Sequence, residues 1–457
     1  MTTSAAALAL CACLLWSGWG TAADPAVADP GAAGAADQGA GALLDTDGSA
    51  ELQGSSSLAD YLRVAESLSP SIAGAQAVHE AALAGVAPAG GLPDPTVSYG
   101  HYFEEVETRV GPQTHRFGVR QKLPWPGKLS VAKARERERA SAASERLRAT
   151  RLKVAADVTR AFADYAYLAE ALRVTEERYI LLISVEEVTR TRYSSGDASY
   201  GDLMKAQISV ARAEDSVSSL RGRRASASSR LAAAVGLSGD AMLPWPEGIP
   251  GASVPVTSGA LEFFEEHGPD ILALEHELEA ARHERRLAGQ AFLPDLTLGV
   301  DYIATDDAVM PVDESGKDAL IGTASVSVPL WFGKHRAGVL QAEAALRAAE
   351  GRVEQRTHDL RADVRTSIFE LEDTARKVVL YRDRLVPAAM QSVEATDASY
   401  RAGAADFDAL IAAHEVALEL QLALARVRAD VLVNTAELTR LTGDDRQESD
   451  EHEDGGR

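Results

Sequence analysis

Leu92-Pro93-Asp94-Pro95-Thr96 returns as Leu293-Pro294-Asp295-Leu296-Thr297, and the offset of 201 residues between these stretches decides how the whole chain is read. Trp125-Pro126-Gly127-Lys128 returns as Trp331-Phe332-Gly333-Lys334 at offset 206, and Tyr193-Ser194-Ser195-Gly196 as Tyr400-Arg401-Ala402-Gly403 at offset 207. A long internal repeat sets the architecture before any local motif is considered. Each copy reads as helix, two strands, very long helix, tight turn and return helix. The first copy covers 58–248 and the second 258–443.

Outward from the Leu-Pro-Asp stretches, the sequence alternates with period two. Val97, Tyr99 and Phe103 oppose Thr96, Ser98 and Gly100; Phe117, Val119 and Leu123 oppose Arg116, Gly118, Arg120 and Lys122. In the second copy Leu296, Leu298, Val300 and Tyr302 oppose Thr297, Gly299 and Asp301, and Ala324, Val326 and Val328 oppose Thr323, Ser325 and Ser327. The predicted strands are 95–106, 114–123, 295–304 and 320–330. Such alternation suits a half-buried soluble strand and a transmembrane barrel strand equally. Context favours the barrel: the strands come in pairs, with an acidic loop from Thr305 to Asp318. Trp125 and Trp331 stand where interfacial aromatics belong, and Lys128 and Lys334 are placed to reach lipid phosphates. Lipid tolerates no open sheet edge, so four strands cannot span alone. Three chains would supply twelve.

Gly127-Lys128 and Gly333-Lys334 lack the rest of a phosphate loop. The glycines instead let each strand turn into a helix. From Lys128 to Ser195 there is neither Pro nor Gly, with apolar residues at helical spacing such as Leu147, Val154, Val158, Phe162 and Leu172. A periodic run this long signals a coiled coil, membrane span or helical repeat. The charges at Arg135–Arg139 and Arg146–Lys153 exclude the span. The long helix 128–192 would reach about 100 Å. Its counterpart, 334–399, contains Pro387, which predicts a kink. Return helices are expected at 200–236 and 406–442. Alanines such as Ala140, Ala142, Ala143, Ala342, Ala344 and Ala345 suit close helix packing.

Net charge is −22, which argues against nucleic acid as a partner. Residues 1–23 read as a signal peptide with cleavage near Ala23, and Leu10-Cys11-Ala12-Cys13 is a candidate lipid-attachment box. Cys11 and Cys13 are the chain's cysteines, so removal of the signal would leave no thiol chemistry. Residues 24–57 read as a disordered linker and 444–457 as an acidic tail. No His-Glu-x-x-His or Gly-x-Ser-x-Gly is present. The expectation is therefore no enzyme, no cofactor and no metal site, with His79, His276, His283 and His414 as polar helix-face residues.

With these motifs in order, the chain resembles the TolC-like outer-membrane efflux protein family over residues 58–443. Ser69-Pro70, Gly268-Pro269, the Leu-Pro-Asp strand starts, the Trp-x-Gly-Lys junctions and the Tyr-x-x-Gly turns carry the resemblance. Leu-Pro-Trp-Pro-Gly-Lys is similar to the branch that accompanies heavy-metal exporters. The resemblance implies a mainly α protein with a membrane β-barrel, a homotrimer of twelve strands continued by a twelve-helix periplasmic tunnel. It implies a passive exit duct in the outer membrane, working with a periplasmic adaptor and an inner-membrane pump, here of the resistance-nodulation-division type. Tyr193, Gly196, Tyr400 and Gly403 would form the adaptor-docking tip. Asp202 and Tyr400 fall on latch positions, where a phenol donating to a carboxylate would hold the tip closed. Aperture carboxylates would align with Ala409 and Ala412, leaving Asp406 and Asp408 nearby but out of register. Protein secretion, or a structural periplasmic coiled coil, are the alternative readings.

Overall fold

The structure is a computed structural model that describes residues 57–238, 242–251, 260–310 and 313–444. The signal peptide, almost all of the linker and the acidic tail beyond Asp444 lie outside the described residues. The first repeat contains α1 (Leu58–Leu68), α2 (Pro70–Ala89), β1 (Thr96–Thr108), β2 (Gly111–Leu123), α3 (Lys128–Ser195) and α4 (Tyr200–Val235). The second contains α5 (Ala260–His267), α6 (Pro269–Gln290), β3 (Asp295–Thr305), β4 (Ala319–Ser327), α7 (Phe332–Leu380), α8 (Val386–Arg401) and α9 (Phe407–Thr442).

Sequence duplication becomes structural duplication at small scale. Ser69 and Gly268 share φ −63° and ψ 117°, and each is followed by a proline in the first helical turn. Proline is preset for that position and has no amide to leave unsatisfied. The C-cap of α4 packs back on the first break, where a Cβ at Gly236 would lie 2.9 Å from the Leu68 carbonyl. The C-cap of α9 does the same in the second, with Gly443 against His267. Both return helices thus end on the helix that opened their own repeat.

The long α3 is unbroken for 68 residues, about 100 Å. Its counterpart is interrupted by a π-helical turn at Tyr381–Leu385, closed by the Val386 N–H donating to Tyr381 O. The irregular turn directly precedes Val386-Pro387 and contains Asp383, the fourth residue back from the proline. A proline ring collides with the carbonyl four residues back, and widening the preceding turn makes room for it.

Tyr61 and Val64 of α1, Val158, Phe162 and Tyr165 of α3, Leu231 and Val235 of α4 and Ala425 and Ala429 of α9 form the main core. Tyr165 stacks on Trp245 and donates its hydroxyl to Leu243 O at 2.9 Å. A second cluster joins Phe264, Ile271, Leu360, Val364, Leu371 and Leu438. No helix among the described residues is long and apolar enough to cross a membrane.

The strands make one antiparallel sheet in the order β1-β2-β3-β4. β2 and β3 pair from Gln113↔Thr305 to Leu123↔Leu296, although α3, α4, α5 and α6 lie between them in sequence. Directly opposed residues share a face. Val97, Tyr99, Phe117, Val119, Leu296, Leu298, Val300, Leu320 and Val326 fall on one face and are exposed. Thr96, Ser98, Arg116, Arg120, Lys122, Thr297, Asp301, Thr323 and Ser325 fall on the other. β1 and β4 each have a neighbour on one side only.

Candidate functional site

Two places gather the residues singled out in the sequence: the strand–helix junctions and the helical turns. At the first junction Gly127 adopts φ +96° as N-cap of α3, a conformation costly for any side chain. Gly333 lies in the first turn of α7 without a positive φ, so the expected special backbone exists at one junction and not at its copy.

Lys128 does not reach outward towards lipid. Its Nζ donates to Asp295 Oδ1 at 2.7 Å and to Leu293 O at 3.0 Å. Lys122 bridges the same carboxylate at 3.2 Å, and the Trp125 N–H donates to it at 3.0 Å. The aspartate of the second Leu-Pro-Asp stretch thus clamps the junction of the first repeat. Trp125 and Trp331 are both exposed, as are Lys334 and Asp94.

At the turns, α3 ends on Gly196 (φ +86°) and α8 on Gly403 (φ +76°), each glycine reversing its chain as the spacing predicts. Asp197 N donates to Arg192 O at 2.8 Å, and Ala404 N to Ser399 O at 2.8 Å. These bonds satisfy the terminal carbonyls of the two helices. Ser199 and Asp202 form a capping box at the start of α4, with Asp202 N donating to Ser199 Oγ and Ser199 N to Asp202 Oδ2, both at 3.1 Å. Asp406 caps α9 by accepting from Ala409 N at 2.8 Å. Asp408 takes Lys205 Nζ at 2.6 Å, tying the two turns together.

The expected bond from Tyr400 to Asp202 is absent within the chain. The Tyr400 hydroxyl lies 2.9 Å from Thr189 Oγ1, whose own proton goes to Val185 O at 2.8 Å. Asp202 is already committed to its cap, where the helix N-terminus favours an anion. Arg192 completes the arrangement: its Nη1 donates to Tyr400 O at 2.5 Å and its guanidinium lies 4.7 Å from the ring centroid. Tyr400 is 4% exposed and packs with Val185, Ala206, Phe407 and Leu410. Tyr193, its repeat partner, is 43% exposed and rests against Tyr200.

Sequence reasoning missed Thr189, Arg192 and Lys205. The one available signal was positional: Thr189 and Arg192 lie within one helical turn of Tyr193. Farther along the same helices, His414 of α9 is buried, and burial holds its imidazole below the ordinary value of 6.5. Arg178 weakens its proton affinity further while Asp397 opposes. Among the described residues no group of three or more side chains is arranged to hold a metal ion.

A family model for the outer membrane efflux proteins matches residues 62–237 and 264–444, the two structural repeats. No curated protein matches the chain in sequence. Among solved structures, the chain is similar to the outer membrane protein VceC of Vibrio cholerae, with 20% identity and a TM-score of 0.69 over 84% of this chain and 96% of that one. A membrane protein of Pseudomonas aeruginosa gives 17% identity and a TM-score of 0.72 over 86% and 94%. The MtrE outer membrane channel of Neisseria gonorrhoeae, in its open state, gives 17% and 0.69 over 84% and 88%.

Proposed function

Because the chain belongs to the outer membrane efflux protein family, we propose that three copies close their sheets into a twelve-stranded barrel and export small solutes through it. One observation carries this reading. The four-stranded sheet is apolar and exposed on one face, polar on the other, and open at both β1 and β4. That is a barrel segment: lipid accepts the apolar face, and only pairing with other copies removes the edges.

The helical turns support a second part of the reading. Tyr193, Gly196, Tyr400 and Gly403 end the two helical hairpins, with Tyr193 and Tyr200 presenting exposed rings. A periplasmic adaptor docks there and couples the duct to an inner-membrane pump of the resistance-nodulation-division type. Opening separates the hairpins, so it must break Lys205–Asp408 and the Arg192–Tyr400–Thr189 set rather than a Tyr400–Asp202 bond.

The test is extraction from outer membranes in mild detergent, followed by mass measurement and insertion into planar bilayers. The expected species is a trimer that conducts. A monomer without conductance overturns the proposal. Replacing Gly196 and Gly403 together by valine should abolish export while the trimer persists; unchanged export would remove the turns from the docking site.

A further inference from the structure

The chain carries 22 more acidic than basic residues, yet the polar face of its sheet inverts that balance. Where the register is regular, across Thr96–His101, His115–Leu123, β3 and β4, this face holds three cations, Arg116, Arg120 and Lys122, and two carboxylates, Asp295 and Asp301, while Glu104, Glu105 and Glu107 of β1 lie beyond the register shift that follows His101. The excess of one positive charge is made larger by layering. Asp301 lies against the sheet with its side chain wholly covered, while Arg116 and Arg120 above it each keep 42% of their side chain exposed. Arg116 Nε donates to Asp301 Oδ1 at 3.2 Å and Arg120 Nη2 to the same oxygen at 3.3 Å, while Arg116 Nη2 lies 3.1 Å from Oδ2 as an ion pair without hydrogen-bond geometry. Lys122 repeats the pattern over Asp295, with the lysine outermost.

The backbone is cut to allow this. A Cβ at Gly118 would lie 2.4 Å from Asp301 Oδ1, and one at Gly299 would lie 2.9 Å from Arg120 Cγ. Both glycines flank the carboxylate in register, Gly118 opposite Asp301 and Gly299 opposite Arg120. With any side chain there, the acid could not sink beneath the arginines. A solute passing this wall therefore meets guanidinium and ammonium groups first.

We propose that Arg116, Arg120 and Lys122 form a cationic girdle on the pore wall that makes the barrel favour anionic solutes, with Asp301 as the residue that positions the two arginines. The proposal rests on the channel reading above. In a trimer the girdle occurs three times around one pore, and low-dielectric walls focus its field on the lumen. A potential of one kT there enriches small anions about threefold. Screening limits its reach to about 10 Å at 0.1 M salt and about 3 Å at 1 M.

The probe is chloride against potassium. Purified trimer in planar bilayers under a KCl gradient should show a chloride-to-potassium permeability ratio of about 3 or more at low salt, falling towards 1 near 1 M. Arg116→Gln with Arg120→Gln and Lys122→Gln would strand Asp301, so Asp301→Asn is added to spare the sheet a buried unpaired charge, while Asp295 keeps Lys128 as its partner; this set should lower the ratio at low salt to about 1 or below. Arg116→Lys with Arg120→Lys keeps the charge and should keep the selectivity. Pores that prefer potassium in the parent, or equal loss of selectivity in the lysine pair, would overturn the girdle. A preparation that inserts no pores would overturn the channel reading itself, and the girdle with it.

Discussion

The two repeats share their order of elements and most of their turn chemistry, but they meet their surroundings differently. In the first, Ala140, Ala142 and Ala143 are buried, and α3 contributes 18 buried residues to the chain's own packing. In the second, Ala344 and Ala345 are exposed, and α7 and α8 together contribute eight, six from α7 and two from α8. Tyr400 is enclosed where Tyr193 is open, and Lys128 is bound where Lys334 is free of the sheet. Similar sequence motifs therefore do not guarantee similar contacts. α3 packs against α1, α2, α4, α6 and α9, whereas α7 packs against α6, α9 and the short α5. Exposed apolar residues along the second long helix, such as Leu340, Phe369 and Val379, are accounted for if a second copy covers them.

That comparison yields the largest predicted effect. The β1–β2 and β3–β4 registers make Thr96 equivalent to Thr297 and Arg120 equivalent to Ser325. Copying the β2–β3 register onto the open edges then sets Val326 of one copy opposite Val97 of the next. Val97→Cys with Val326→Cys should give covalent trimers on oxidation in membranes, read on a non-reducing gel. Moving one cysteine to Ala324, a register step of two residues, should sharply reduce the yield. Equal yields would break the rule that one repeat repeats the other's pairing.

The next effect concerns the aspartates of the two Leu-Pro-Asp stretches. Asp295→Ala leaves Lys128, Lys122 and the Trp125 amide without their acceptor and should cost about 1–3 kcal/mol. Asp94→Ala breaks no bond among the described residues, and the repeat predicts that Asp94 would face Lys334 of a neighbouring copy. Thermal unfolding should distinguish them, the first lowering the melting temperature of the subunit and the second the dissociation temperature of the trimer.

A smaller difference is expected at the turns. Tyr400→Phe removes a buried hydroxyl from Thr189 and should cost about 0.5–1.5 kcal/mol of tip stability. Tyr193→Phe should cost next to nothing, because water replaces its partner. Amide exchange in α8 and the start of α9 would report the contrast, and identical exchange in both variants would deny Tyr400 its special place.

The smallest effect is a dependence on pH. Burial holds His414 below its ordinary value of 6.5, so the unfolded chain takes up that proton first. Stability from this residue is complete above about pH 6.5 and declines as pH falls through that value. His414→Gln should flatten the melting temperature across this range, whereas the unmodified chain should melt lower as the solution is acidified.

Much of this was legible in the residues themselves. The offsets near 200 could be read by comparing the chain with itself, and the period-two strands and the uninterrupted run from Lys128 to Ser195 are local patterns that backbone preference is enough to express. Gly196 and Gly403 were readable for the same reason, since reversing a helix demands a positive φ that glycine supplies most cheaply. What the sequence could not decide was which of several chemically suitable partners each polar group takes. Tyr400 had Asp202 available by motif, but packing of α8 against α3 brought Thr189 to its hydroxyl instead, and the capping box had already claimed Asp202. Lys128 had lipid phosphate available, but pairing of β2 with β3 placed Asp295 within 2.7 Å. Both choices depend on contacts between segments more than 160 residues apart, so only the tertiary structure could settle them.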